Sequence, residues 1–97
     1  MSVIDLLNDY ALDDLDCLII LAITDNGNDE ETIKKTVLHN AHLFRIPVER
    51  EDIEERLCLH NANIFFYKDG EKYILTDKGK IIYDYLSEVV KTWMKKT

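Results

Sequence analysis

The sequence predicts a mostly helical α+β domain, in which several helices are followed by one β-hairpin and a long last helix. Apolar residues recur at helical spacing through most of residues 13–61. The pattern then changes to short aromatic and β-branched runs on either side of an Asp-Gly pair, which is a strong hairpin signal. With one proline and three glycines among 97 residues, regular elements should fill the chain. That length predicts one domain.

The charge is acidic and unevenly distributed, with a net value of −7. Residues 1–33 carry nine acids and no lysine or arginine, whereas residues 65–97 carry seven lysines and five acids. Because phosphates are bound through lysine and arginine, an acidic chain disfavours nucleic acid as a partner. A basic patch on one side of the molecule is still compatible with these numbers.

The N-terminus predicts no secretory signal, since no basic region precedes an apolar run. The apolar run at residues 17–23 is too short to cross a bilayer, so no membrane partner is expected. We expect a cytoplasmic protein in which Cys17 and Cys58 are reduced thiols. The alternative is a single disulfide that joins these two cysteines.

The first two helices follow from cap residues and periodicity. Ser2 can cap a short helix over residues 2–10. Asp13 or Asp14 can cap the next helix, which continues to Ile23 and is apolar around nearly its whole circumference. A helix of that kind is expected at the centre of the core.

The next two helices are amphipathic. Asn28 or Asp29 can cap the third helix, and Pro47 ends the stretch that contains it. Residues 49–61 form the fourth helix, with Ile53 and Leu57 facing inward.

The hairpin should lead directly into the last helix. Its strands are predicted at residues 64–67 and 73–75. Thr76 can cap the last helix, of about twenty residues. Gly79 lies three residues further on, where the absence of a side chain allows another backbone to approach closely. An ordinary exposed glycine is the alternative interpretation.

Two stretches, "RIPVEREDIEERL" and then "NIFFYKDGEKYILTDKGKIIYDYL", resemble the winged helix-turn-helix domains of small regulators of the MarR and PadR type. The shared pattern is a recognition helix, a β-wing and a strand reading aromatic-x-Leu-Thr-x-x-Gly into a helix. The resemblance covers roughly residues 13–90. The single domain at 1–97 is thus predicted to consist of an N-terminal extension helix at 1–12, which has no required counterpart in the minimal winged-helix domain, a helix-turn-helix with its wing at 13–75 and a C-terminal dimerisation helix at 76–97.

The resemblance also implies a function, that of a DNA-binding transcriptional regulator acting as a homodimer. The helix at residues 49–61 would enter the major groove, and the two-stranded wing would touch phosphate or the minor groove of double-stranded DNA. The DNA-contact residues implied in this way are Arg45, Arg50, Lys68 and Lys72.

The recognition helix itself favours a different partner. With Ile53 and Leu57 inward, helical spacing places on its outward arc Glu51, Asp52, Glu54, Glu55 and Cys58. Contact with phosphate needs hydrogen-bond donors that carry positive charge, and this arc lacks them. The alternative function is therefore an acidic protein-interaction module for a basic protein, in its extreme form a DNA mimic.

No enzyme, cofactor or metal is predicted. A glycine-rich phosphate loop, a catalytic triad signature and a nucleophile motif are all absent from the sequence. His39-x-x-His42 and Cys58-x-His60 offer nitrogen and sulfur atoms, but Cys58 and His60 should point apart on their helix. Surface histidines are the favoured interpretation.

The last helix has an apolar arc that is wider than one contact requires. We expect it to pair with a second copy of the chain, since two-fold dimers are the commonest oligomers. The alternative is that the whole arc covers the domain's own core. The dimer interface is predicted at Leu6, Tyr10, Tyr85, Leu86, Val89 and Trp93.

Overall fold

The protein is a mostly helical α+β domain with a small three-stranded antiparallel sheet. The computed structural model describes residue 5, residues 8–59 and residues 64–96, with the side chains of all of these except residues 59 and 93–96. Of the predicted N-terminal helix, Asn8 and Asp9 are helical and most of the rest lies outside the described residues. The elements described are α1 (Asp14–Ile23), β1 (Asn28–Asp29), α2 (Glu30–Leu43), α3 (Arg50–Leu59), β2 (Phe66–Asp69), β3 (Lys72–Leu75) and α4 (Asp77–Lys96).

Helix α1 is the centre of the core, as predicted. It packs against α2, α3, α4 and β3. Asp13 caps its N-terminus: the Asp16 backbone N–H donates to Asp13 Oδ1 at 2.9 Å, and the Asp13 N–H donates to Asp16 Oδ2 at 3.3 Å. Its buried residues are Leu18, Ile19, Ile20, Ala22 and Ile23.

The other elements contribute unequally to this core. Helix α2 buries Ile33, Val37 and Ala41 against it. Helix α3 buries the two residues that the sequence predicts, Ile53 and Leu57, and otherwise faces water or charged neighbours. These two residues join α3 to the core.

Strand β1 is a feature that the sequence does not predict. Asn28 pairs with Tyr73 and Asp29 with Lys72, so that β3 becomes the middle strand of three. The Asn28 side chain does not cap α2. Instead its Nδ2 donates to the Ala22 carbonyl at 2.8 Å, at the end of α1. A strand of two residues has no periodicity that a sequence pattern could reveal.

The hairpin forms around Asp69-Gly70, as predicted. Asp69 pairs with Lys72, so the loop is only Gly70 and Glu71. Gly70 has a φ of 66°, which is the conformation that a two-residue type II′ turn requires at its first central position. The ribbon therefore extends further toward its tip than the predicted strands did.

The junction between the hairpin and α4 depends on Thr76 and Gly79. The Thr76 hydroxyl accepts from the Gly79 N–H at 3.2 Å and donates to the Ile64 carbonyl at 2.5 Å, and the Thr76 N–H donates to the Phe65 carbonyl at 3.0 Å. These bonds occupy Ile64 and Phe65, which explains why β2 begins at Phe66 rather than at the predicted residue 64. A Cβ on Gly79 would lie 2.0 Å from the Phe65 carbonyl oxygen, so the predicted close backbone approach is confirmed.

We expect Gly79→Ala to destabilise the fold by at least about 2 kcal/mol, because the new methyl group would collide with backbone that cannot move aside. Gly70→Ala is the matched control. Its Cβ meets nothing within 4 Å, and only its φ of 66° penalises alanine, which costs about 1 kcal/mol. Urea unfolding followed by circular dichroism measures both. Equal losses in the two variants would contradict the close approach at Gly79.

Candidate nucleic-acid interface

Arg50, a predicted DNA contact, is held by carboxylates in this structure. Its Nη2 lies 2.5 and 2.6 Å from the two carboxylate oxygens of Glu31 on α2, and its Nε lies 3.7 Å from Glu54. The pair raises the pKa of Arg50 and lowers the pKa of Glu31. A contact between Arg50 and DNA stays a prediction, and it would have to displace Glu31.

Arg56 joins α3 to the beginning of α1. Its Nη1 lies 2.9 Å from Asp13 Oδ1 and 2.7 Å from Asp16 Oδ1. Partial burial acts to raise the pKa of Asp13, but the bond from Arg56 and the capping bonds outweigh it and lower that pKa. The same two carboxylates raise the pKa of Arg56.

Burial, together with the neighbouring aspartates, raises the pKa of the Cys17 thiol to about 11, so that thiol stays protonated.

Lys34 is a buried lysine that joins α2 to α3. It is 4% exposed, and its Nζ lies 2.7 Å from Glu30 and 2.8 Å from Glu54. These two bonds raise the pKa of Lys34. A buried ammonium is tolerated when carboxylates satisfy its donors, as they do here. Lys34 and Arg50, the cations between α2 and α3, therefore help to hold these two helices together.

The outward face of α3 is acidic, as the helical spacing predicts. The exposed residues on it are Glu51, Asp52, Glu54, Glu55 and Cys58. Because Arg50 and Arg56 both point toward carboxylates, this face presents no unpaired arginine or lysine to a ligand. A phosphate backbone approaching it would meet like charge.

The predicted contacts Lys68 and Lys72 are both exposed but lie on opposite faces of the hairpin. Lys68 is the cross-strand partner of Tyr73 and shares its face, with Nζ 5.8 Å from the ring centroid. Lys72 is opposite Asp69 on the other face, since neighbouring residues in a strand alternate. Burial, then the charges of Glu30 and Cys58, raise the pKa of Tyr73.

Arg45, the remaining predicted contact, is exposed at the end of α2. The Ile46 N–H donates to the Ala41 carbonyl at 2.8 Å and the Arg45 N–H to the His42 carbonyl at 3.2 Å, which is the Schellman pattern of helix termination. Arg45 has a φ of 57°, in the left-handed region where glycine is favoured. Among the described residues, no carboxylate forms an ion pair with its guanidinium.

The sequence analysis did not group the two imidazole side chains of α2 with its cations. Lys35, His39 and His42 are exposed and recur at i, i+4 and i+7 on the outer face of α2. The signal that could have shown this is the absence of Asp and Glu from residues 32–48, which is the longest stretch of the chain without an acid.

The predicted dimer residues divide into three groups. Tyr10, Tyr85 and Val89 are exposed, at 37%, 43% and 47%. Leu86 is half-buried and packs against the domain's own core. Leu6 and the Trp93 side chain lie outside the described residues. Ile81, which the prediction did not include, is exposed one turn before Tyr85 and extends the apolar face.

Other predicted features concern metal, thiols and membranes. Within the described part of the chain, no three His, Cys, Asp or Glu side chains cluster as metal ligands, and His60 lies outside it. Cys17 and Cys58 are both free thiols, so the disulfide alternative is not formed. Of the helices described, none is both long and apolar enough to span a bilayer.

Comparisons with known proteins identify no relative. No protein-family model, curated protein or solved structure matches the chain. A functional interpretation therefore rests on the contacts and charges described above.

We expect the free energy of unfolding to fall as the pH drops below about 4, because Asp13 and Glu31 have lowered pKa values in the folded state. A lowered carboxyl pKa stabilises the fold above the unfolded-state value and loses that contribution as pH falls through the folded-state value. Arg56→Gln removes the partner of Asp13, so stability should fall less steeply with acid. The exposed Lys80→Gln is the control. Urea midpoints measured stepwise in pH test this, and equal slopes in wild type and Arg56→Gln would contradict it.

Proposed function

We propose that the chain is a winged helix-turn-helix transcriptional regulator that binds double-stranded DNA as a homodimer. The observation that carries the proposal is the hairpin, which would be the wing. It follows α3 in the chain, packs through β3 against α1 and α4, carries two exposed lysines, and its second strand passes through Thr76 directly into α4. This is the order of elements that the resemblance implies.

The distribution of charge supports contact through the wing and Arg45 more than through α3. Lys68, Lys72 and Arg45 are exposed, while Arg50 is paired with Glu31. Few phosphate contacts give modest affinity with a moderate dependence on salt. DNA binding of this kind would be sensitive to ionic strength and would have little direct base readout from α3.

The exposed apolar face of α4 supports the homodimer. Ile81, Tyr85 and Val89 follow one another at intervals of four residues, so they form one stripe along the helix. Tyr10 lies near the beginning of this stripe, because the Lys78 ammonium stands 5.2 Å from its ring centroid. A second copy of the chain would bury this stripe.

A second candidate function is favoured by the acidic face of α3. Glu54 is paired with Lys34, but the exposed carboxylates of Glu51, Asp52 and Glu55, with the neighbouring arginines paired inward, would suit a basic protein partner. In this case the chain would be an acidic interaction module, and it would not bind DNA.

We expect the protein to retard a labelled duplex of mixed sequence at about 50 mM salt and to release most of it at about 200 mM. Lys68→Gln and Lys72→Gln should each weaken binding and reduce the slope of log affinity against log salt by about one. Lys80→Gln, an exposed lysine on α4, is the control and should change neither quantity. Failure of the wild type to bind at low salt, together with capture of a basic polypeptide, would instead favour the acidic interaction module.

We expect a dimer at micromolar concentration, and Tyr85→Ala should shift it toward monomer with little change in the urea midpoint. The reason is that Tyr85 is 43% exposed in the single chain and so contributes little to its own core. Tyr67→Ala on the hairpin, with a similar exposure of 37%, is the matched control. Sedimentation velocity measures the association. A wild type that sediments as a monomer would contradict the homodimer.

A further inference from the structure

We infer that the outer face of α2, with the residue that terminates it, binds the phosphate backbone of duplex DNA. We call this surface the α2 strip, and it consists of Lys35, His39, His42 and Arg45. The inference rests on the proposed DNA-binding function and gives it a contact surface other than α3.

The α2 strip is a continuous row of hydrogen-bond donors. Lys35, His39 and His42 lie on the side of α2 opposite Val37, which is fully buried. At a rise of about 1.5 Å per residue, Lys35 and His42 are separated by about 10 Å along the helix. That length is about three times the axial rise of about 3.4 Å between successive phosphates of one strand. Ammonium, imidazole and guanidinium groups can all donate to phosphate oxygens.

The α2 strip differs from the rest of the surface in having few acids near it. The nearest in sequence are Glu31, four residues before Lys35, and Glu49, four residues after Arg45. Asp29 and Glu31 lie within electrostatic range of Lys35. From residue 32 to residue 48 the chain carries no Asp or Glu, so the middle of the strip, at His39 and His42, is the part farthest in sequence from a carboxylate.

The backbone at Arg45 is an independent observation that points the same way. The left-handed position after a Schellman termination is normally glycine, because a side chain there is strained. This chain places an arginine at that position, with a φ of 57° and an exposed side chain. Phe44 and Ile46 on either side pack against the core and fix the turn. Strain that is retained at an exposed cation indicates a function for that cation.

The composition of the surface favours DNA over an acidic protein. Protein interfaces are organised around buried aromatic or aliphatic anchors, whereas protein–DNA interfaces are polar and positively charged. The α2 strip contains no apolar residue, and Leu43 at its margin is the large apolar side chain exposed near it.

Arg45→Gly separates the contribution to binding from the contribution to folding. Glycine relieves the strain at φ 57°, so the melting temperature should rise. Loss of a charged donor should at the same time weaken binding to a fluorescein-labelled duplex of mixed sequence by about tenfold. The double variant His39→Gln, His42→Gln keeps both side chains polar and should also weaken binding. Lys91→Gln on α4 is the control and should leave binding unchanged.

Each outcome of this titration has a distinct meaning. If the wild type binds and Lys68→Gln weakens binding, but Arg45→Gly and the double histidine variant bind as the wild type does, the α2 strip is overturned and the proposed function stands. If the wild type does not bind at low salt, both are overturned. If labelled polyglutamate binds more tightly than the duplex at equal charge concentration, and Arg45→Gly weakens that binding, the strip binds acidic protein and its assignment to DNA is overturned.

Discussion

The position of α3 depends on ion pairs as well as on apolar burial. Of its described side chains, Ile53 and Leu57 are buried. Three cations also hold α3 in position. Lys34 and Arg50 join it to α2, and Arg56 joins it to α1. An exposed pair contributes only about 0–1 kcal/mol, but Lys34 is buried and its two carboxylates belong to different helices. Removing one partner of such a group leaves the others unsatisfied, so the network acts as a unit.

The same network decides which cations are available to a ligand. Lysine and arginine side chains that neutralise carboxylates inside the fold cannot also attract phosphate. Once these are set aside, the exposed cations outside α4 are those of the hairpin and of the α2 strip, among the described residues. The requirement to hold α3 in place therefore moves the basic surface away from α3, even though the helix order resembles that of domains that read DNA with this helix.

The parts of the structure governed by local chemistry could be predicted from the sequence, and those governed by contacts between elements could not. The Asp69-Gly70 turn, the Thr76 cap and the close approach at Gly79 each depend on the residue type at one position. The acidic arc of α3 follows from spacing alone. In contrast, the helical wheel places Arg50 at the flank of α3 but cannot show that Glu31 on another helix binds it. Strand β1 is set by pairing with Tyr73 and Lys72, and no pattern in two residues could indicate it.

The acidic face of α3 limits how the chain can approach a duplex. Two unit charges about 8 Å apart in bulk water interact by about 0.5 kcal/mol. Glu54 is neutralised by Lys34. The other three carboxylates, Glu51, Asp52 and Glu55, at that distance from phosphates would oppose binding by about 1.5 kcal/mol, a factor of about 10 in affinity. A glutamate can accept a hydrogen bond from cytosine, but only after this repulsion has been offset by phosphate contacts elsewhere. An approach led by α2 and Arg45 makes those contacts without bringing α3 into the groove, and for that reason it is the orientation that the charges favour.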